Sequence, residues 1–130
     1  MRKQISIIAA VVLVFALGAG FAFALTAHKA SGDSCNNPAA ITRMVTITEG
    51  HVSAPDIHGK LCDKIMFMNE DNLTREIAFG PHEDHVPYDG VAEKFLNQYQ
   101  SFTITLNTAG RYHWHDHLHD EVQGYFTVTK

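Results

Sequence analysis

From residue 41 onwards, short apolar or alternating runs are separated by turn-forming residues. The runs lie at residues 41–47, 64–68, 76–79, 101–106, 111–114 and 124–128. Alternation and short apolar runs are typical of β-strands. Their spacing of about ten residues predicts an antiparallel β-sandwich or barrel. No long amphipathic helical pattern is present, although residues 91–96 have a pattern that fits a single helical turn.

The N-terminal segment has a different pattern. An apolar run from Ile5 to Leu25 follows Arg2 and Lys3. At about 1.5 Å per residue, a helix of this length just spans a bilayer. The tripeptide Ala22-Phe23-Ala24, however, resembles a signal-peptide cleavage site. Both a cleaved signal peptide and a retained anchor helix remain open.

The chain therefore divides into three parts. We expect residues 1–27 to be a signal peptide or membrane anchor, residues 28–37 a polar linker, and residues 38–130 one folded domain. The positive charge at the N-terminus stays on the cytoplasmic side of the membrane, so the domain is expected to be extracytoplasmic. It would be secreted, periplasmic, or held on the outer face of the cytoplasmic membrane by residues 5–25.

Composition excludes several classes of function. The formal net charge is −4, and the ten basic residues are scattered, so nucleic acid is not an expected partner. No nucleophile pattern of the Ser-His-Asp or Cys-His type and no glycine-rich phosphate loop is visible. Cys35 and Cys62 are an even pair in an exported chain, which favours a disulfide over a thiolate metal ligand.

Histidines supply the candidate chemistry. Four of the nine lie in the stretch GRYHWHDHLHD, residues 110–120. Two more lie in GPHEDHVPYDG, residues 80–90, whose prolines and glycines predict a loop. Side chains alternate across a strand, so Trp114 and Asp116 facing the core would leave His113, His115 and His117 on the opposite face.

The chain from Asp63 to Lys130 resembles a small cupredoxin. The usual ending of that family appears here with Gly110, Tyr112 and Trp114, with Gly124 closing the motif. The resemblance implies a Greek-key cupredoxin-like β-sandwich or barrel, with an all-β fold. The chain resembles in particular the thiolate-free cupredoxin-like domains of exported bacterial proteins.

Most of the family's copper ligands are replaced. Asp116 stands at the cysteine, Val122 at the methionine and Arg75 at the first histidine, so that only His119 remains. A blue-copper centre needs a thiolate, and we do not expect one here. Instead, Arg75 and Asp116 are opposite charges at positions that share a metal in the family, which predicts an ion pair in its place.

A different metal site follows if the two histidine clusters lie at one end of the sandwich. His82 and His85 would then be joined by two of three downstream histidines, namely His115, His117 and His119. Imidazole ligands suit copper or zinc, and iron if carboxylates contribute. The carboxylates expected to orient the imidazoles are those of Glu83, Asp116 and Asp120. Solvated polar loops remain the alternative interpretation.

The sequence thus predicts an exported cupredoxin-like protein that binds a metal ion, copper in the first place, without a thiolate. A type 2 copper redox enzyme or electron-transfer protein is one alternative. A metal-free structural or interaction domain is another. Enzyme activity is not the favoured prediction, because so short a chain offers little room for a substrate pocket. The sequence does not identify a protein partner.

Overall fold

A computed structural model describes residues 35–130, in which nine β-strands form two sheets. The strands are β1 (Thr42–Thr48), β2 (His51–Val52), β3 (Asp56–Lys60), β4 (Lys64–Asn69), β5 (Arg75–Phe79), β6 (Glu93–Leu96), β7 (Ser101–Thr105), β8 (Gly110–Asp116) and β9 (His119–Thr129). The expected signal or anchor helix lies outside the described residues. Between residues 35 and 130 there is no helix long and apolar enough to cross a membrane.

The two sheets are joined by crossovers. One sheet has the order β2-β1-β4-β7 and the other the order β3-β9-β8-β5-β6. β1 runs parallel to β4, and β3 runs parallel to β9, whereas the remaining pairs are antiparallel. The predicted all-β sandwich is confirmed.

Aromatic and branched apolar side chains fill the space between the sheets. Trp114 and Phe67 are fully buried and meet edge to face, with ring centroids 5.1 Å apart. Phe79 contacts Phe67 and Phe126 in the same T-shaped manner. In β9 the buried positions alternate from Val122 to Val128, as the sequence pattern predicts. Because the core side chains are fixed by this packing, the alternating residues of the same strands point away from the core.

Two local expectations have definite outcomes. Residues 93–96 form strand β6 rather than a helical turn, because they pair with β5 in antiparallel register from Arg75↔Leu96 to Ala78↔Glu93. Hydrogen bonding to a neighbouring strand here overrides the local pattern. The disulfide expected between Cys35 and Cys62 is confirmed, and it ties the leading segment of the domain to the turn before β4.

Candidate metal centre

Four histidines from two loops and a strand lie together, and we call them the outer histidine cluster: His82, His85, His115 and His117. His82 and His117 stack with ring centroids 4.3 Å apart, and His85 meets His117 edge-on at 4.7 Å. One nitrogen from each of His82, His115 and His117 lies within 4.8 Å of the others. Three imidazole nitrogens at this spacing could close around one metal ion with small rotations of the rings.

The β5–β6 loop reaches the cluster because it turns back sharply at Gly80. The φ of Gly80 is +87°, and a side chain there would meet the backbone nitrogen of Val86 at 2.8 Å. The amide of Gly80 donates to the carbonyl of His113, and the amide of Val86 donates to the carbonyl of Phe79. The loop is thereby held against β8, and its two histidines come to lie beside His115.

An irregularity in the pairing at the end of β8 places Asp120 near the outer histidine cluster. His115 pairs with Gln123, but the next residue, Asp116, pairs with His119. Residues 120–122 of β9 therefore have no partner on β8, and the strand bulges there. The bulge carries Asp120 towards the β5–β6 loop, where its carboxylate lies 2.9 Å from Nδ1 of His82.

His115 is the most unusual member of the cluster. The side chain is 2% exposed, and neither ring nitrogen has a hydrogen-bond partner among residues 35–130. Burial lowers the pKa of His115, and the nearby histidines His113, His85, His82 and His117 lower it further. The neutral ring keeps a nitrogen lone pair available. An unsatisfied buried polar group costs about 1–3 kcal/mol, and a metal ion bound to it would remove that cost.

Carboxylates support the two loop histidines. Asp120 lies 2.9 Å from Nδ1 of His82, and Glu93 lies 3.1 Å from Nδ1 of His85. Histidines that bind metals commonly donate their other ring N–H to a carboxylate in this way. Sequence reasoning included Asp120 but missed Glu93. Recognition of residues 93–96 as a strand would have placed Glu93 opposite Ala78, which itself pairs with His115.

The other predicted site residues lie elsewhere. His119 is not part of the cluster, since its Nδ1 lies 3.2 Å from Oδ2 of Asp116. Asp116 is fully buried and serves Arg75 and His119 rather than the clustered histidines. Glu83 is exposed in the β5–β6 loop. The two downstream histidines that join His82 and His85 are therefore His115 and His117.

The ion pair predicted between Arg75 and Asp116 is present as part of a buried charged network. Nη1 of Arg75 donates to Oδ2 of Asp116 at 2.9 Å, and Arg75 also pairs with Asp71. Burial lowers the pKa of Arg75, but hydrogen bonds to Asp116 and Asp71 outweigh it, so the pKa is raised. A guanidinium here and a buried valine at position 122 do not fit a blue-copper centre, which requires a thiolate.

Comparison with known proteins agrees with this architecture. No family model matches the chain, and no curated protein matches it. Among solved structures, a reduced tryptophan-to-tyrosine variant of amicyanin matches with a TM-score of 0.57 at 20% identity, over 67% of this chain and 81% of that one. The reduced Cu(I) form at pH 4 of a proline-to-glycine variant of amicyanin matches with a TM-score of 0.56 at 22% identity, over 71% and 84%.

These similarities define the class. The region from residue 35 to 130 is a cupredoxin-like domain, as the resemblance in the sequence predicted. At this level of identity the likeness concerns the fold alone. The chemistry of the domain has to be argued from its own side chains.

Proposed function

We propose that this protein is an exported metal-binding protein whose outer histidine cluster holds a divalent ion, copper in preference to zinc or iron. Capture or buffering of the ion outside the cytoplasm is the role that fits best. The proposal differs from blue-copper electron transfer in both the ligands and the location of the site. No thiolate is available to lower the reorganisation energy of copper, and Asp116 and Arg75 fill the usual position.

The observation that carries the proposal is the state of His115. A buried imidazole normally hydrogen-bonds through at least one nitrogen, yet within residues 35–130 His115 does so through neither. Three other imidazoles surround it with ring centroids 5.3–5.9 Å away. Without a bound ligand, the ring nitrogens of His115 would stay without hydrogen bonds while several basic imidazoles lie close together around them. A bound metal ion would supply a partner for one ring nitrogen of His115.

The donor set guides the choice of metal. Imidazole nitrogen suits copper and zinc, and copper(II) has the highest affinity among divalent first-row ions for a given site of this kind. The carboxylate of Glu93 hydrogen-bonds to His85, and that of Asp120 lies 2.9 Å from Nδ1 of His82, so each already contacts an imidazole. Oxygen ligation, which iron would favour, is therefore the weaker option. When bound, copper would add redox chemistry and zinc would add Lewis acidity.

A titration of the full-length chain in mild detergent with Cu(II) tests the proposal. The wild type is expected to bind one tight equivalent, with an EPR spectrum showing nitrogen ligands and no intense thiolate absorption. A His82→Ala/His117→Ala variant should lose more affinity than the 10–100-fold that loss of an outer hydrogen-bond partner costs. His51→Ala/His58→Ala is the matched control, because it removes two exposed histidines outside the cluster.

The outcomes separate the alternatives. Equal weakening of both double variants would mean that the chain binds copper only through its histidine content, and the proposal would fail. Turnover of a small oxidant by the copper-loaded protein would instead support the type 2 redox enzyme. No tight equivalent of copper, zinc or iron would leave a structural or interaction domain as the function.

A further inference from the structure

A continuous chain of polar contacts leads from Glu93 on β6 to His117 beside the candidate ion. Oε2 of Glu93 lies 3.1 Å from Nδ1 of His85, and Nε2 of His85 lies 3.0 Å from Nδ1 of His117. The ring of His85 is largely covered, with 15% of its side chain exposed. Both of its nitrogens are therefore engaged within the protein.

We infer that His85 is not a metal ligand but a positioning residue, which together with Glu93 holds His117 so that its Nε2 atom binds the ion. This inference rests on the proposed metal-binding function. It assigns the coordination to His82, His115 and His117. It also assigns to Glu93, which lies outside the histidine motifs of the sequence, a part in building the site.

With Glu93 ionised and both imidazoles neutral, the contacts fix where the protons lie. An ionised Glu93 accepts a hydrogen bond, so Nδ1 of a neutral His85 carries the proton and its Nε2 carries a lone pair. That lone pair accepts from Nδ1–H of His117. Nε2 of His117 is then left with a lone pair. Such an arrangement fixes both the tautomer and the ring orientation of a metal ligand.

His82 has a separate carboxylate beside its Nδ1 atom. Its Nδ1 lies 2.9 Å from Oδ1 of Asp120, which leaves Nε2 for the ion. His115 completes the set, and neither of its ring nitrogens has a hydrogen-bond partner in the described part of the chain. The three residues whose nitrogens lie within 4.8 Å of one another are these same three, and His85 is not among them. Three imidazoles leave one position of a tetrahedral ion open to water or a small ligand.

The competing arrangement makes His85 a fourth ligand. Metal–nitrogen bonds of about 2.0–2.1 Å place two ligand nitrogens roughly 3 Å apart, so the contact between His85 and His117 alone does not exclude it. In that case His117 would bind through Nδ1, and its Nε2 would point away from the ion. The tautomer of His117 and the number of ligand nitrogens therefore distinguish the two arrangements.

The first measurement uses the metal-free full-length protein in detergent. Long-range ¹H–¹⁵N spectra are expected to show the Nδ1–H tautomer for both His85 and His117. The Nε2–H tautomer at His117 would overturn the inference whether or not the protein binds metal. This readout is independent of loading, so it separates a wrong relay from a wrong proposed function.

The second measurement compares variants loaded with Cu(II). His85→Gln keeps an amide oxygen that can accept from His117, and His85→Ala does not. Both are expected to retain the wild-type count of three nitrogens in the EPR hyperfine pattern, with affinity falling about 10–100-fold in the alanine variant and less in the glutamine variant. Loss of one nitrogen in both variants would show that His85 is a ligand.

Glu93→Gln is paired with Glu83→Gln, which removes the same charge from an exposed position in the same loop region. We expect about a 10–100-fold loss of affinity for Glu93→Gln and less than about threefold for Glu83→Gln. Equal losses would mean that Glu93 acts only through its charge, and the relay would be wrong. If the wild type binds no metal, the proposed function fails and the ligand assignment fails with it.

Discussion

Asp116 and His115 are neighbours in β8 and point to opposite faces of the same sheet. Asp116 is fully buried beside Arg75, with Oδ2 2.9 Å from Nη1 of that residue. His115 lies instead under the rings of His82 and His85 in the outer histidine cluster. Alternation along the strand separates the two sites by a single residue. The fold thus has a buried ion pair on one side of β8 and a candidate metal site on the other side of the same strand.

Replacement of Asp116 by Asn is expected to destabilise the domain by about 3 kcal/mol, because it leaves a buried guanidinium with one carboxylate partner instead of two. The amides of Glu76 and Leu118 donate to Oδ1 of Asp116. The amide oxygen of Asn can keep both bonds, so the loss falls on the contacts of Oδ2 with Arg75 and His119. Urea unfolding at pH 7 measures the effect.

Asp56→Asn is the control, since that carboxylate is half-exposed and lies 3.7 Å from Arg111 at the surface. An exposed pair of this kind contributes about 0–1 kcal/mol. A loss for Asp116→Asn no larger than that of the control would show that the buried pair contributes nothing to stability.

How much of this the sequence could predict depends on the range of the interactions. Six of the nine strands among residues 35–130, the core position of Trp114 and the disulfide follow from local pattern and composition. The pattern does not predict the short strands β2, β3 and β6. The partnership of Glu93 with His85 does not, because it depends on β6 lying beside β5. The different environments of His117 and His119 arise from the tight turn and bulge after β8. Spacing along the chain carries no signal for such a bulge.

Acid is expected to weaken the domain through Asp63. Hydrogen bonds from the amides of Lys60 and Ile41 lower its pKa, burial opposes them, and Arg43 lowers the pKa further, so that the net pKa is below the ordinary value of 3.8. A carboxyl with a depressed folded-state pKa stabilises the fold above its unfolded pKa. That contribution is lost as the pH falls from 3.8 towards the lower folded value.

Asp63→Asn should therefore cost about 2 kcal/mol at pH 7, from lost charge-assisted hydrogen bonds. The difference from the wild type should shrink steadily below pH 3.8. Unfolding free energies measured across this range test both points, with Asp84→Asn in the exposed β5–β6 loop as the control. A difference that stays constant with pH would mean that the charge of Asp63 is not what stabilises the fold.

The disulfide should contribute measurably to stability. Cys35 and Cys62 are 27 residues apart, and closing a loop of that size stabilises by about 3.5 kcal/mol in the chain-entropy model. A Cys35→Ser/Cys62→Ser variant is expected to lose about that much in urea unfolding. Its copper affinity should match that of the wild type, because neither cysteine belongs to the histidine cluster. Loss of copper binding in a folded double variant would contradict the separation of the two features.

Metal binding should raise the melting temperature. At a free concentration about 100 times the dissociation constant, a ligand stabilises the folded state by about 2.7 kcal/mol. For a domain of this size that corresponds to roughly 10 °C or more. Zn(II), which has no redox chemistry, is the simplest probe. His82→Ala/His117→Ala should show little shift and His51→Ala/His58→Ala the full shift, and the reverse order would move the site away from the cluster.

His115 provides the sharpest test, because its replacement should abolish metal binding without lowering the stability of the metal-free domain. Its ring nitrogens have no hydrogen bonds in the described part of the chain, so His115→Leu removes only an unsatisfied polar group of similar volume. In the metal-free protein this variant is expected to be as stable as the wild type or more stable, by up to about 2 kcal/mol. Its Zn(II)-dependent increase in melting temperature should disappear.

The matched control is His113→Leu, two residues earlier in the same strand. The nitrogens of His113 lie 3.1 Å from the carbonyl of Gly80 and 2.9 Å from Oε1 of Gln123. That substitution should destabilise the domain by about 0.5–1.5 kcal/mol, the net contribution of a lost hydrogen bond, since the carbonyl of Gly80 is only partly buried and Gln123 is exposed. If His115 serves only to pack the core, His115→Leu should lower the unfolding free energy more than His113→Leu does. If His115 binds a metal, His115→Leu should lower the unfolding free energy of the metal-free protein less than His113→Leu does, but should reduce metal binding more.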